Sequence, residues 1–362
     1  MIFLISATAA LISAGLTPLI AKIALRLGVV DDPAIQPARR LHTMPVPLLG
    51  GVAIWVTIVA GIVAYGFVGN SLNAGYIARR QLVGLLAGST LLMIGGYLDD
   101  RYRLTPKRSI VFPILAVLVV IMSGVGVNFI TNPLGGVWRI DGWKISLNVF
   151  SILPITFSVG SVCLTFAWLM GMMYTTKLLD GLDGLVSGIT VIGAFTLAAL
   201  SLTSAVHQPD TALLAALTAG AWLGFLVHNL APARIFLGEG GALLAGYMIG
   251  TMAIIAGGKI ATALLVIGVP ALDVGWVIAR RVLWERRSFA LPDRKHLHFR
   301  LLDVGLTIRQ TVAVFWLSSA IFGLAAILLQ SRGKLVALLI LASLMALGGL
   351  SLVLISTKRQ RA

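Results

Sequence analysis

Residues 177–205 read KLLDGLDGLVSGITVIGAFTLAALSLTSA. A lysine and two aspartates stand at the front of this stretch, and nothing charged follows between Gly184 and Ala205. About 20 apolar residues is the length of helix that crosses a hydrocarbon core of about 30 Å. The stretch therefore predicts a membrane span with a polar cluster at its mouth. The pattern recurs along the 362 residues: eleven apolar segments lie near 2–25, 49–68, 82–98, 109–130, 150–173, 184–205, 211–231, 237–256, 260–279, 311–330 and 335–357. Connections are short except for 26–48, 131–149 and 280–310. The reading is an all-α, polytopic membrane protein of about eleven transmembrane helices, forming one domain over 1–362.

Composition points the same way. Charged residues make up 11% of the chain and apolar residues 58%, whereas soluble globular domains carry about 25% charged residues. A water-soluble enzyme of ordinary domains is thereby excluded. The net charge is +15, but no soluble basic domain carries it, so no nucleic-acid partner is expected. The single cysteine, Cys163, lies inside an apolar run and cannot form an intrachain disulfide. Met1 to Gly15 lacks a basic flank and more spans follow, which predicts a first span and not a cleaved signal. Within 131–149, the run GGVWRIDGWKI predicts a small β-hairpin turning at Asp141-Gly142.

Basic residues orient the chain. Alternate connections hold Arg26, Arg39 and Arg40, then Arg101, Arg103, Lys107 and Arg108, then Lys177, then Arg234, then the dense run from Arg280 to Arg309, and finally the tail Lys358, Arg359 and Arg361. The other set holds only Arg79, Arg80, Arg139, Lys144, Lys259, Arg332 and Lys334. The positive-inside rule then places the N-terminus outside and the C-terminus in the cytoplasm. All carboxylates except Asp141 and Asp210 fall on the cytoplasmic side. Ionisable groups gathered at one interface favour a reaction site facing the cytoplasm over a conduction path. A transporter or flippase is the rival reading, and it calls for ionisable groups near span centres or broken helices in paired halves.

Four pieces carry the chemistry. Asp99-Asp100-Arg101 ends the third span, and Lys177-Leu-Leu-Asp180-Gly-Leu-Asp183-Gly enters the sixth. Asn229, followed by Phe236-Leu-Gly238-Glu239-Gly-Gly, lies between the seventh and eighth spans. Asp293-Arg-Lys-His296-Leu-His298-Phe-Arg300 stands before the tenth. Adjacent carboxylates at an interface resist joint ionisation, and a hard divalent cation such as Mg²⁺ relieves them. Asp180, Asp183 and Lys177, spaced by three, share one face if a helix begins there. Glu239 stands near a span start, where a helix N-terminus favours anions. Arg and His suit phosphate oxygens. Together these pieces read as a magnesium–diphosphate site. Each has a plainer reading beside it: Asp99-Asp100 as a loop cap, Asp-Gly-x-Asp-Gly as a turn, and His-x-His as a zinc pair. Asp273 reads as a partner of Arg280 or Arg281, and Arg39, Arg40 and His42 as interface anchors.

The motifs resemble those of the polyprenyl-phosphate N-acetylhexosamine-1-phosphate transferases, relatives of the phospho-N-acetylmuramoyl-pentapeptide translocases. The likeness runs through Asp32-Pro33, Arg39-Arg40-Leu-His42, Pro47-Leu-Leu-Gly50-Gly51, Leu98-Asp99-Asp100-Arg101 and Asp180-Gly-Leu-Asp183-Gly-Leu. It continues through Phe236-Leu-Gly238-Glu239, Pro270-Ala-Leu-Asp273 and His296-Leu-His298-Phe-Arg300-Leu. The resemblance implies that a polyprenyl phosphate attacks the β-phosphate of a UDP-sugar, most simply UDP-N-acetylglucosamine, and releases UMP in cell-envelope polysaccharide synthesis. It implies Asp99, Asp100 and Asp183 as catalytic carboxylates, and Asp180 and Glu239 as ligands of Mg²⁺, with Mn²⁺ as an alternative. Lys177, Asn229, His296, His298 and Arg300 are implied as substrate-binding residues, loop 280–310 as the cytoplasmic recognition loop, and a homodimer in the bacterial inner membrane as the setting. Four departures stand against the family pattern. Lys177 replaces Asn, Glu239 replaces Asp and Phe299 replaces a histidine, while Phe112-Pro113 stands near a missing Gln. They leave a diverged or inactive member as the alternative. Lys177 invites a sharper expectation, that its ammonium pairs with Asp180 or touches the diphosphate.

Overall fold

The computed structural model describes residues 1–33, 44–68, 75–132, 135–140, 142, 144–149, 153–257, 259–281 and 296–361. Arg39, Arg40, His42, Asp141 and the stretch 282–295 of the recognition loop lie outside the described residues. The chain is mostly helical. Helix α1 (Ile2–Leu27) leads through a two-residue pair of strands, β1 (Val30–Asp31) and β2 (Val46–Pro47), to α2 (Gly50–Ile62). There follow α3 (Arg79–Tyr102), the short α4 (Pro106–Ser109) and α5 (Val111–Met122). After two small hairpins come α6 (Val159–Leu179), α7 (Leu185–Leu202), α8 (Pro209–Asn229) and α9 (Gly238–Ile255). The chain closes with α10 (Ile260–Val266), α11 (Gly268–Arg280), α12 (Leu297–Asp303), α13 (Ile308–Leu328) and α14 (Ser331–Arg361).

Local chemistry marks several of these starts. Pro209 opens α8, where a missing N–H costs nothing. Thr307 and Gln310 form a capping box at the start of α13. Among the described residues, 8 helices are long and apolar enough to cross a membrane, and the pair α10 and α11, bent by 84°, makes up to 9. The apolar run 49–68 forms α2 continued by a π-helical turn over Val63–Val68, and 109–130 yields the shorter α5. The single bend at Ile267 has no counterpart in a second half of the described chain, so the paired broken helices of a transporter are not found there.

Two expectations need correction. The strand pairing differs from the expected hairpin: β3 (Phe129–Thr131) pairs with β4 (Val137–Arg139), and β5 (Lys144–Val149) with β6 (Leu153–Ser158). The Asn132 N–H donates to the Gly136 carbonyl at 3.0 Å, closing the first turn one strand earlier than expected. In the fifth apolar run, read from 150, Leu153–Ser158 is strand β6 and the helix starts only at Val159, after Ser158, whose hydroxyl accepts the Ser161 N–H. Tertiary pairing with β5 overrides hydropathy there.

Helices α8 and α9 form the centre, with 83% and 89% of their apolar windows buried, whereas α14 is 11% buried. Trp222, Phe225 and Tyr247 are fully buried, and the Tyr247 hydroxyl donates to the Leu85 carbonyl on α3 at 3.2 Å. Small residues permit close approach, as membrane helix packing requires: a Cβ on Gly220 would come within 2.1 Å of the Ser6 carbonyl oxygen on α1, and one on Gly51 within 2.4 Å of Gly241 Cα.

Candidate active site

The Asp-Gly-x-Asp-Gly motif is a turn between two helices and not the first turn of one. Helix α6 stops at Leu179 with Asp180 as its cap, and Gly184, at φ 78°, precedes α7. Lys177 lies in the last turn of α6, and its Nζ is paired with Glu239 Oε1, with the Tyr174 ring centroid 5.5 Å away. Of the two expected contacts, Asp180 and the diphosphate, the first gives way to Glu239 as the carboxylate that Lys177 pairs with. Asp180 itself is exposed and Lys177 half-buried. Desolvation of the carboxyl, then Glu239 and then Asp183, push Asp180 up to about 7.

Glu239 reaches this point because α3 and α9 meet backbone to backbone. A Cβ on Gly96 would lie 2.2 Å from the Gly240 amide nitrogen, so nothing larger fits at that crossing. Both oxygens of Asp100, at the end of α3, accept the Glu239 N–H at 3.1 Å. Gly50 and Gly51 donate to the Phe236 and Leu237 carbonyls at 2.9 Å, and Phe236 donates to Pro47 at the same distance. These bonds seat the start of α9 against the 46–51 segment. Asp99, next to Asp100, behaves differently. Its Oδ1 accepts the Leu104 N–H at 3.0 Å and its Oδ2 accepts the Ser109 hydroxyl at 2.5 Å. Asp99 therefore holds the turn from α3 into α4, as the plainer loop-cap reading expected.

Asp183 and Asn229 join the turn to the connection after α8. Asp183 Oδ2 accepts the Ala233 N–H at 2.9 Å. Asn229 Oδ1 accepts from Gly184 N–H at 3.1 Å and from the Ser187 hydroxyl at 2.7 Å, while its Nδ2 donates to the Ile235 carbonyl at 3.0 Å. Asn229 is buried and its amide holds framework groups. Removing one partner of a buried hydrogen bond costs about 1–3 kcal/mol for each group left unpaired. Asn229→Ala is therefore expected to lower the melting temperature of the detergent-solubilised protein by several degrees. Unchanged melting would argue that these bonds are not made.

The fourth motif divides. His296 and His298 are buried, and Arg300 is half-buried on α12. His296 Nδ1 lies 2.9 Å from Asp273 Oδ2. The His298 ring stacks on His296 with centroids 5.6 Å apart and planes 10° apart, and a Cβ on Gly181 would meet its Nε2 at 2.8 Å. Neither ring nitrogen of His298 has a hydrogen-bond partner among the described residues. Burial pushes His298 down to about 4, Asp273 opposes that shift, and His296 adds to it. The ring is thus neutral at pH 7.

Asp99, Asp100, Lys177, Asp180, Asp183 and Glu239 therefore gather where α3 and α6 end and α7 and α9 begin. Sequence reasoning missed Ser109 as the partner of Asp99 and Asp273 as the partner of His296. Neither pairing had a sequence signal, because it depends on how separate helices dock. Among the described residues no three His, Cys, Asp or Glu groups close on a common metal position. The donor chemistry nevertheless fits Mg²⁺, which takes one or two carboxylates and fills its remaining positions with water and substrate phosphates. Asp180, open to solvent and crowded by two other acids, is suited to such a role.

Residues 82–257 match the model of glycosyl transferase family 4. The chain is 30% identical over 324 residues to a probable undecaprenyl-phosphate N-acetylglucosaminyl 1-phosphate transferase of Bacillus subtilis, covering 87% of this chain and 81% of that one. The chain belongs to the polyprenyl-phosphate N-acetylhexosamine-1-phosphate transferase family. A decaprenyl-phosphate N-acetylglucosaminephosphotransferase of Mycobacterium tuberculosis is 30% identical over 351 residues, 89% of this chain and 81% of its own. A phospho-N-acetylmuramoyl-pentapeptide-transferase of Staphylococcus haemolyticus is 26% identical over 329 residues, 90% of this chain and 98% of its own. The chain is thus a multi-pass membrane member of this family, and the matched region 82–257 spans the first three motifs.

Proposed function

We propose that the chain transfers N-acetylglucosamine-1-phosphate from its UDP-sugar to a polyprenyl phosphate, releasing UMP, at the cytoplasmic face of the cell membrane. The observation that carries this reading is the convergence of Lys177, Asp180, Glu239 and Asp100 at one end of the helix bundle, in a family whose named members transfer sugar phosphates to polyprenyl phosphates. The excess of Lys and Arg in the same set of connections supports the cytoplasmic side. A homodimer is the assembly the family resemblance implies.

The chemistry asks little of a base. A phosphate monoester has its second pKa near 6, so the lipid phosphate is largely dianionic at pH 7. One of its oxygens forms a bond to the β-phosphorus of the UDP-sugar while the bridging bond to the α-phosphate breaks and UMP leaves. Mg²⁺, held by Asp180 and Glu239, would supply positive charge to the diphosphate. Lys177 adds a fixed ammonium beside the same carboxylates, and positioning with charge neutralisation accounts for most of the acceleration. Asp99 has both oxygens engaged by Leu104 and Ser109, and Asp100 has both on the Glu239 amide. That engagement favours direct attack by the lipid over an aspartyl-phosphate intermediate. Exchange of labelled UMP into UDP-sugar without lipid would overturn the direct route.

The test is UMP release by purified protein given UDP-N-acetylglucosamine and undecaprenyl phosphate, with and without Mg²⁺. Release requiring both lipid and metal is expected; none over a panel of UDP-sugars would favour a diverged, inactive member. Lys177→Asn sharpens the picture. Without the ammonium, Glu239 keeps its charge unpaired and attracts the divalent ion more strongly. The Mg²⁺ concentration for half-maximal activity is expected to fall about tenfold, the factor that 1.4 kcal/mol represents. An unchanged Mg²⁺ requirement and unchanged KM would leave Lys177 as a neutraliser of an acidic face.

A further inference from the structure

Helix α11 leaves α10 at 84°, and its sixth residue, Asp273, is carried to the start of α12. There one carboxylate makes two bonds. Oδ1 accepts the Leu297 N–H at 2.9 Å, the first N–H of α12, and Oδ2 lies 2.9 Å from His296 Nδ1. Both residues are buried, Asp273 at 6% exposure and His296 at 5%. A carboxylate only accepts hydrogen bonds, so a ring nitrogen at this distance carries the proton. The proton of a neutral His296 therefore sits on Nδ1. The plane of the ring is set as well, because His298 stacks on it and Phe299 packs against His298 at 4.3 Å. Since Gly181 leaves room for His298, the contacts run from Asp273 through His296 and His298 to the turn that holds Asp180.

We propose that Asp273 is a positioning residue of the transfer site: it locks His296 in the Nδ1–H tautomer, leaving Nε2 as the only ring atom offered to substrate, and fixes that ring to α12 beside the Asp180 turn. The assignment of a substrate rests on the transferase reading above; the tautomer lock does not. A second partner on a histidine ring decides which nitrogen remains for chemistry. Asp273→Asn has nearly the same shape but cannot satisfy both donors. With its oxygen toward Leu297, its NH₂ faces Nδ1 and drives the proton to Nε2. With its oxygen toward His296, its NH₂ opposes the Leu297 N–H.

The experiment uses the full chain labelled with ¹⁵N-histidine, of which there are 5. At alkaline pH the His296 resonances, identified by their loss in His296→Gln, are expected to show a protonated Nδ1 and a bare Nε2. In Asp273→Asn they are expected to move to the other tautomer or to a mixture. In the UMP-release assay kcat is expected to fall about 10- to 100-fold, with KM for the UDP-sugar changing less, as for loss of a partner that orients a functional histidine. A wild-type spectrum with the proton on Nε2 overturns the proposal and needs no variant to fold. So does Asp273→Asn with wild-type tautomer or wild-type kcat. Absence of UMP release by the wild-type protein, with Nδ1 protonated, would reject the transferase reading and leave the lock in place.

Discussion

Asp180→Asn is expected to lower kcat/KM for UMP release by about 100- to 1000-fold, the range for losing one preorganised contribution to transition-state charge stabilisation, here through the Mg²⁺ that Asp180 would hold. Asp180 is an exposed residue that caps α6 through its backbone N–H, which the substitution keeps, so the variant should fold and melt like the parent. Only the negative charge and one potential metal oxygen are lost. The same residue predicts a pH dependence. Its carboxyl is raised to about 7, chiefly by the surrounding protein and then by Glu239 and Asp183. Below pH 7 it holds a proton that a divalent cation must displace, and above pH 7 it is already ionised. Apparent Mg²⁺ affinity in wild-type protein should therefore rise as pH rises through about 7, and saturating Mg²⁺ should move the acid limb to lower pH. Asp180→Asn should lack that limb. Residual activity with an unaltered limb would move the titration to another group.

Gly238→Ala is expected to lower kcat by at least about 100-fold while costing only modest stability. Gly238 has φ 71°, where an L-residue costs roughly 1–2 kcal/mol. A Cβ there would also come within 2.5 Å of Asp100 Oδ2, inside van der Waals contact. Asp100 must then withdraw from the Glu239 amide, and the start of α9 shifts relative to α3. Gly257→Ala separates the two effects. It has φ 83° but meets only Gln208 Nε2, at 3.7 Å. It should lose comparable melting temperature in detergent and keep its turnover. Equal kcat for the two variants would mean that the Asp100–Glu239 link does not position the reacting groups.

The sequence was most legible where one physical requirement acts on a contiguous run. Hydrophobic length located the helical segments, because an uncharged stretch such as 184–205 has few alternatives in a bilayer. Charge clusters at span ends picked out Asp99-Asp100, Asp180-Asp183 and Glu239, since acids at an interface need a cation or a bond. Length failed early in the fifth run, where Leu153–Ser158 pairs with Lys144–Val149 as a strand and not a helix. Helical spacing failed at Asp180 and Asp183, because Gly181 and Gly184 belong to a turn between α6 and α7. Adjacency failed at Asp99 and Asp100: neighbours in sequence, they point to different partners, one holding α4 and the other the start of α9.

By itself the sequence determined a polytopic helical membrane protein with an acidic and basic cluster at one set of helix ends, because periodicity, run length and charge are properties of single segments. Tertiary structure alone decided that Lys177 faces Glu239, that Asn229 and Asp183 clamp the turn, and that Asp273 reaches His296. Those pairings join residues tens of positions apart. Glycines such as Gly96 and Gly240 let separate helices approach to backbone contact, and no local rule encodes which helix ends meet.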